Sequence, residues 1–268
     1  MAKSNGPELD DVVLALQGEL ITEAKDRLTR MAALLGALSE GTEAGAGALQ
    51  KIRQDAHNLK GVGGTYGFPM ITVVSHCLED YLSDLDGRID DDIAPVHHFF
   101  DVMHDILAGG YDDSDDWGSK LVRNLPVRTS ADFEAGQPIL VEVLMVMPTN
   151  AVSRHIEAEL RACGYRVIKV RSSFEATEFA VRTRPDLIVV SGLLDELNGA
   201  DVTRMLAVIG KTREIPVALV TSFERDHPKF AGLASRTAFV RKDTHLSDDL
   251  AVAITGLGLT DTKAAHQA

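Results

Sequence analysis

The chain has 268 residues, a length that suits two domains of ordinary size. Apolar residues make up 45% and charged residues 25%, the proportions of a folded chain, which excludes wholesale disorder. Lys and Arg number 27 against 40 Asp and Glu, and the resulting net charge of −13 repels phosphate backbones and argues against nucleic-acid binding.

The charge divides unevenly. Residues 1–125 carry 10 Lys and Arg against 22 Asp and Glu, whereas residues 126–268 carry 17 and 18. The first part has helical periodicity and no β-rich run. Its predicted helices are a short leader at Leu9–Leu16, then Glu19–Leu38, Ala46–Tyr66, Pro69–Leu85 and Asp92–Leu107. Proline suits a helix start, because its missing N–H is unpaired there anyway. Short connections favour antiparallel neighbours, so an all-α up-down four-helix bundle is expected over 1–110. A glycine-, proline- and acid-rich linker is expected over 111–137. It contains Trp117, the chain's one tryptophan, which is read as an anchor. Short β-branched runs follow at Ile139–Met147, Tyr165–Val170, Leu187–Val190, Val217–Thr221 and Ala238–Val240. They alternate with helix candidates Ser153–Cys163, Phe174–Thr183, Ala200–Ile209, His227–Leu233 and Ser247–Leu257. Alternation of this kind predicts an α/β doubly wound, five-stranded parallel sheet over 138–260, with a tail at 261–268. Its functional edge is expected at the strands' C-terminal ends.

Cys77 and Cys163 lie far apart in no metal-ligand spacing, so neither a disulfide framework nor a zinc site is expected. No apolar run reaches the roughly 20 residues that span a bilayer. The N-terminal MAKSNGPELDD lacks the apolar core of a signal peptide, and a cytoplasmic protein is expected.

The second long helix is the informative one. Ile52, Ala56, Leu59 and Tyr66, with Gly63 completing the spacing, fall within roughly 80° of one another and form a core stripe. His57 lies roughly 140° from the centre of that stripe, facing solvent. Gly61 and Gly64 share its outward face, and Arg53 and Lys60 flank it. Glycine inside a helix costs about 1 kcal/mol relative to alanine. Close packing explains a core-facing Gly63 but not outward-facing Gly61 and Gly64. A bare strip beside an exposed imidazole admits another protein's backbone, and the flanking cations stabilise negative charge placed on the ring. Imidazole is nucleophilic when neutral, and an unperturbed ring is mostly neutral at cytosolic pH. The arrangement points to a site that receives a phosphoryl group.

His57-Asn58-Leu59-Lys60-Gly61, with Gly67 six residues further on, resembles the signature of histidine phosphotransfer (HPt) domains. Leu78-Glu79 is similar to the family's third helix, and the resemblance covers about residues 8–108. It implies that His57 is the phosphoacceptor, that Lys60 stabilises the phosphohistidine, and that Gly61 clears space for a receiver. It also implies that magnesium is supplied by the partner receiver, with no cofactor or metal bound by this chain. No P-loop occurs, so the chain is not expected to act as a kinase.

The second half resembles a response-regulator receiver domain over about 138–258. RPDLIVVSGLLDELNGADVTRML is similar to the stretch around the phosphoacceptor, IPVALVTS to the fourth strand and AFVRKD to the fifth. The resemblance sets the phosphoacceptor at Ser191 and the acidic pair at Met147 and Pro148. Thr221 and Lys242 match the switch threonine and the lysine. Without the carboxylates a hard cation lacks its oxygen ligands. A pseudo-receiver is therefore expected: receiver fold, no phosphorylation.

These readings together describe a phosphocarrier, bacterial and without a kinase domain. His57 takes phosphate from the receiver of a hybrid histidine kinase and passes it to a response regulator. The pseudo-receiver serves as a regulatory or docking module, including docking on its own bundle to cover His57. The alternative is a non-phosphorylated scaffold, or an inhibitor or phosphatase-type regulator that binds receivers. A metal site built from His97, His104, Asp101 and Asp105 is a lesser reading, as a solvated acidic face accounts for the same residues. His76 precedes Cys77 with no other thiol close in sequence. Neither nucleic acid nor membrane is expected as a partner.

Overall fold

The computed structural model describes residues 9–41, 47–64, 67–83, 85, 92–110, 116–127, 141–234 and 236–259. The chain forms two compact units, Met1–Ser114 and Asp115–Ala268.

The first unit contains four helices: α1 (Leu9–Ser39), α2 (Ala48–Gly63), α3 (Pro69–Ser83) and α4 (Ile93–Leu107). In α1, Leu20, Ala24, Leu28, Met31 and Leu35 recur at spacings of three and four and are buried. The expected leader and first helix are one continuous helix. Gly18 does not break it, because a glycine penalty of about 1 kcal/mol is small beside the packing of the following turns. Ile52, Ala56 and Leu59 of α2 are buried as the periodicity requires. α3 is the most enclosed of the four helices, with ten buried residues from Met70 to Leu82. α4 contributes Val96, Phe99, Phe100, Met103, Ile106 and Leu107.

α2 ends at Gly63, three residues before the predicted end; Tyr66, expected on the core stripe, lies outside the described residues. The stop has a local cause, since Phe68 N–H donates to Gly63 O at 2.9 Å and closes the turn into α3. A Cβ on Gly63 would stand 2.9 Å from both Phe68 O and Thr72 N. Both are backbone atoms and cannot swing away. Gly63→Ala is therefore expected to destabilise this unit by about 1–3 kcal/mol, read as a lower thermal midpoint.

In the second unit the strands are β1 (Glu142–Val146), β2 (Arg166–Val170), β3 (Leu187–Ser191), β4 (Val217–Thr221) and β5 (Thr237–Arg241). They form one parallel sheet in the order β2-β1-β3-β4-β5. The helices are α5 (Trp117–Asn124), α6 (Ala151–Ala162), α7 (Ser173–Thr183), α8 (Gly199–Val208) and α9 (Leu246–Gly256). Val143 and Met145 pack with Ile156 and Leu160 of α6 and with Leu250, Ala253 and Ile254 of α9 in one core. α7 and α8 pack against each other. The starts of α6, α7 and α8 are capped by Asn150, Ser172 and Asn198, whose side chains accept from backbone N–H groups of the first turn.

Two expectations need correcting here. The predicted helix His227–Leu233 is only a 3-10 turn, Pro228–Phe230. Gly232, at φ +76°, ends it, and Phe230 instead packs on Phe239 of β5 with ring centroids 5.2 Å apart. The stretch read as linker, 111–137, contains α5, which packs on α7 and buries Gly118 and Val122. Residues 111–115 and 128–137, and the tail 261–268, lie outside the described residues.

Candidate functional site

α2 and α3 run antiparallel, and the links between them descend in order. Arg53 reaches Leu82 and Leu85, His57 reaches Glu79, and the Thr72 hydroxyl donates to Lys60 O at 3.0 Å. His57 faces away from the Ile52–Ala56–Leu59 stripe, and its side chain is 67% exposed. Its Nδ1 lies 2.9 Å from Glu79 Oε1. A carboxylate can only accept, so Nδ1 carries the shared proton and the neutral ring keeps its lone pair on Nε2. The other oxygen of Glu79 stands 3.5 Å from Lys60 Nζ. One carboxylate thus spans the imidazole and the ammonium and fixes the orientation of both.

The remaining residues expected around His57 are placed differently from one another. Gly61 is exposed, and a Cβ there would meet nothing within 4 Å. Gly64 is exposed but lies in the turn beyond α2, where a Cβ would make an ordinary contact with Thr72 Oγ1 at 3.5 Å. Gly64 therefore does not share a helical face with His57. Arg53, expected to flank His57 on the outward face, is half-buried. Its guanidinium donates to the carbonyls of Leu82 and Leu85 (3.4 Å to Leu85), so it ties α2 to the C-terminal end of α3. Glu79 was not expected in the site. A carboxylate facing His57 from the antiparallel neighbour becomes visible only once the register of α2 on α3 is known.

The other histidines of this unit sit in different surroundings. His76 is buried, and His97 meets the Phe100 ring edge-on at 5.8 Å. Among the described residues no three His, Cys, Asp or Glu side chains are grouped so as to hold a metal ion. No described helix is long and apolar enough to cross a membrane.

In the second unit, Met147, Pro148, Ser191, Thr221 and Lys242 all lie at the C-terminal ends of strands β1, β3, β4 and β5. Met147, Ser191 and Thr221 are buried and Pro148 is half-buried. Lys242 Nζ donates to Ser191 Oγ at 3.1 Å, and Leu193 N–H donates to the same hydroxyl at 3.3 Å. Burial pushes the Lys242 ammonium below its ordinary pKa. Neutral Met147, Pro148 and Ser191 do not fit a magnesium ion, which takes oxygen ligands and prefers carboxylates.

Residues 15–109 match the family described as Hpt domain. Elsewhere the chain is similar to the polar-differentiation response regulator DivK. It is 36% identical to the Brucella anthropi protein over 81 residues, covering 30% of this chain and 66% of that one. It is 34% identical to the Brucella ovis protein over 85 residues, covering 31% of this chain and 69% of that one. The chain belongs to the two-component signalling proteins, as an Hpt domain joined to a receiver-like domain. It spans about two thirds of the length of these DivK proteins. Among solved structures, the signal receiver domain of a signal transduction histidine kinase from Syntrophus aciditrophicus is 30% identical. That match covers 44% of this chain and 89% of that one, with a TM-score of 0.40. The Hpt domain carries the His57–Glu79–Lys60 cluster, and the receiver-like domain carries the Ser191–Lys242 pair.

Proposed function

We propose that this protein is a cytoplasmic phosphorelay intermediate. His57 takes a phosphoryl group from an aspartyl phosphate on the receiver of a hybrid histidine kinase and passes it to a response regulator. The observation that carries this reading is the exposed imidazole whose Nδ1 is held by Glu79. Nε2 attacks phosphorus and the N–P bond forms. The P–O bond to the aspartyl carboxylate breaks, and that carboxylate leaves with the bonding electrons. The proton stays on Nδ1, and Glu79 offsets the positive charge that develops on the ring. Lys60 stands beside the incoming phosphoryl oxygens. Magnesium belongs to the partner receiver, which also supplies the aspartate.

Gly61 serves approach rather than folding in this reading, because its helix would accept a larger residue. Gly61→Leu is expected to raise the stability of the Hpt domain by up to about 1 kcal/mol. It is also expected to slow transfer, so that thermal midpoint and transfer rate move in opposite directions. Glu79→Ala frees the ring to rotate and removes the charge facing it. Transfer is expected to slow by roughly tenfold to a hundredfold without stopping, measured by rapid quench.

The receiver-like domain is read as a non-phosphorylatable regulatory or docking module. Ser191 stands in place of an acyl-phosphate-forming carboxylate, and Met147 and Pro148 bring no metal ligands. The test of the whole reading is a transfer profile: the purified protein is mixed with a panel of phosphorylated receivers. At least one is expected to exchange phosphate with it within seconds. A panel that never labels the protein, or that loses phosphate without labelling it, overturns the reading.

A further inference from the structure

The N-terminal end of the sheet, opposite the Ser191 edge, holds an ionic cluster that the phosphotransfer reading does not use. Glu142 opens β1 and is only 2% exposed, and neither of its carboxylate oxygens makes a hydrogen bond among the described residues. Arg166 of β2, its register partner, is 4% exposed. Residues 116–127 make contacts to this end of the sheet. Arg166 donates to Leu125 O at 2.6 Å and to Pro126 O at 3.4 Å. Arg123 of α5 grips both oxygens of Asp186 at 3.0 Å, and Asp186 also accepts from Glu142 N–H at 2.7 Å. Arg184 pairs with Asp116 at 3.5 Å. Val122 and Leu125 are fully or nearly fully buried.

The groups facing Glu142 are Arg123 from α5, Arg166 from β2, Asp186 before β3 and Thr183 from α7. The Thr183 hydroxyl donates to Phe179 O at 3.0 Å, so its proton is committed elsewhere. Two cations favour the ionised carboxylate, while Asp186 and the loss of water oppose it. Burial is the largest influence and raises the Glu142 pKa from 4.5 to about 7.

We propose that residues 116–127 form a releasable strap that stays docked while Glu142 holds its proton and lets go as Glu142 ionises. The linkage is direct. Undocking admits water to Glu142 and returns it to an ordinary carboxylate, so the undocked form releases a proton that the docked form keeps. With pKa values of about 7 docked and 4.5 undocked, docking weakens by about tenfold between pH 6 and pH 8.

The test is backbone hydrogen exchange on the full chain, comparing wild type with Glu142→Gln at each pH so that intrinsic exchange chemistry cancels. The wild-type to variant ratio for amides 120–125 is expected to rise about tenfold from pH 6 to pH 8. Amides of β3 are expected to exchange more slowly than those of the strap throughout. Arg123→Ala, which removes both the hold of α5 on Asp186 and a cation that favours ionised Glu142, is expected to speed strap exchange at both pH values and to steepen the pH effect. A ratio that does not change with pH overturns the proposal. So does a strap that exchanges in step with β3, because it would then open only by unfolding of the whole unit.

Discussion

Replacing His57 with glutamine is expected to reduce phosphoryl uptake from a phosphorylated receiver to background, with no partial activity left. Glutamine keeps a polar side chain at an exposed helix position, so the fold is retained. Its amide has no lone pair basic enough to attack phosphorus, and the N–P bond cannot form. No other described histidine in the Hpt domain reproduces the site. His76 is buried, His97 and His104 are partly covered on α4, and His98 is exposed on α4. None of His97, His98 and His104 has a carboxylate within ion-pair distance of its ring nitrogens among the described contacts, as His57 has in Glu79. The measurement is radiolabel transferred from the donor receiver to the variant, alongside circular dichroism to show that it is folded. Label that persists on the variant assigns the acceptor elsewhere.

Glu142→Gln is expected to stabilise the receiver-like domain, by an amount that grows with pH. The folded pKa of about 7 lies above the ordinary value of 4.5. A group of this kind contributes stability that is fully present below pH 4.5 and is lost as pH rises through 7. In the wild type the unfolded chain ionises Glu142 freely above pH 4.5, whereas the folded one must first surrender a proton and then bury the charge. Once pH is well above 7 the cost reaches its full value, about 3 kcal/mol for a shift of this size. Glutamine has the same shape and no charge to bury. Urea denaturation of wild type and variant is expected to give similar midpoints near pH 5 and a clearly higher midpoint for the variant at pH 8. A gap independent of pH would remove the burial cost assigned to Glu142.

Much of this organisation was legible in the sequence, for identifiable reasons. Strands buried on both faces read as apolar runs, and Val217–Thr221 was located to the residue. The exposure of His57 followed from the spacing of Ile52, Ala56 and Leu59, because a regular helix turns a fixed angle per residue. What the sequence concealed depends on contacts between distant segments. Glu79 meets His57 from 22 residues away, across an antiparallel pair whose register no local pattern states. Arg53 looked like a companion of His57 on the same helix, yet its long side chain found the free carbonyls at the end of α3. α5 is eight residues long, too short to be stable alone, and it is held by an arginine whose partner lies 63 residues further on. The predicted helix at 227–233 gave way to a 3-10 turn because packing of Phe230 on Phe239 outweighed local propensity. Glu142 did leave a signal, a lone charge inside an otherwise apolar strand, but its partners come from α5 and β2 and only the fold assembles them.

The most direct measurement is mass spectrometry, under conditions that preserve phosphohistidine, of the wild-type protein after seconds of mixing with a phosphorylated receiver. The phosphoryl group is expected on the tryptic peptide spanning 54–60, stable to alkali and lost in acid, and gained in step with its loss from the donor. A donor that loses phosphate while peptide 54–60 stays unmodified, or a phosphoryl group found on the receiver-like domain instead, would contradict the assignment of His57 as the carrier.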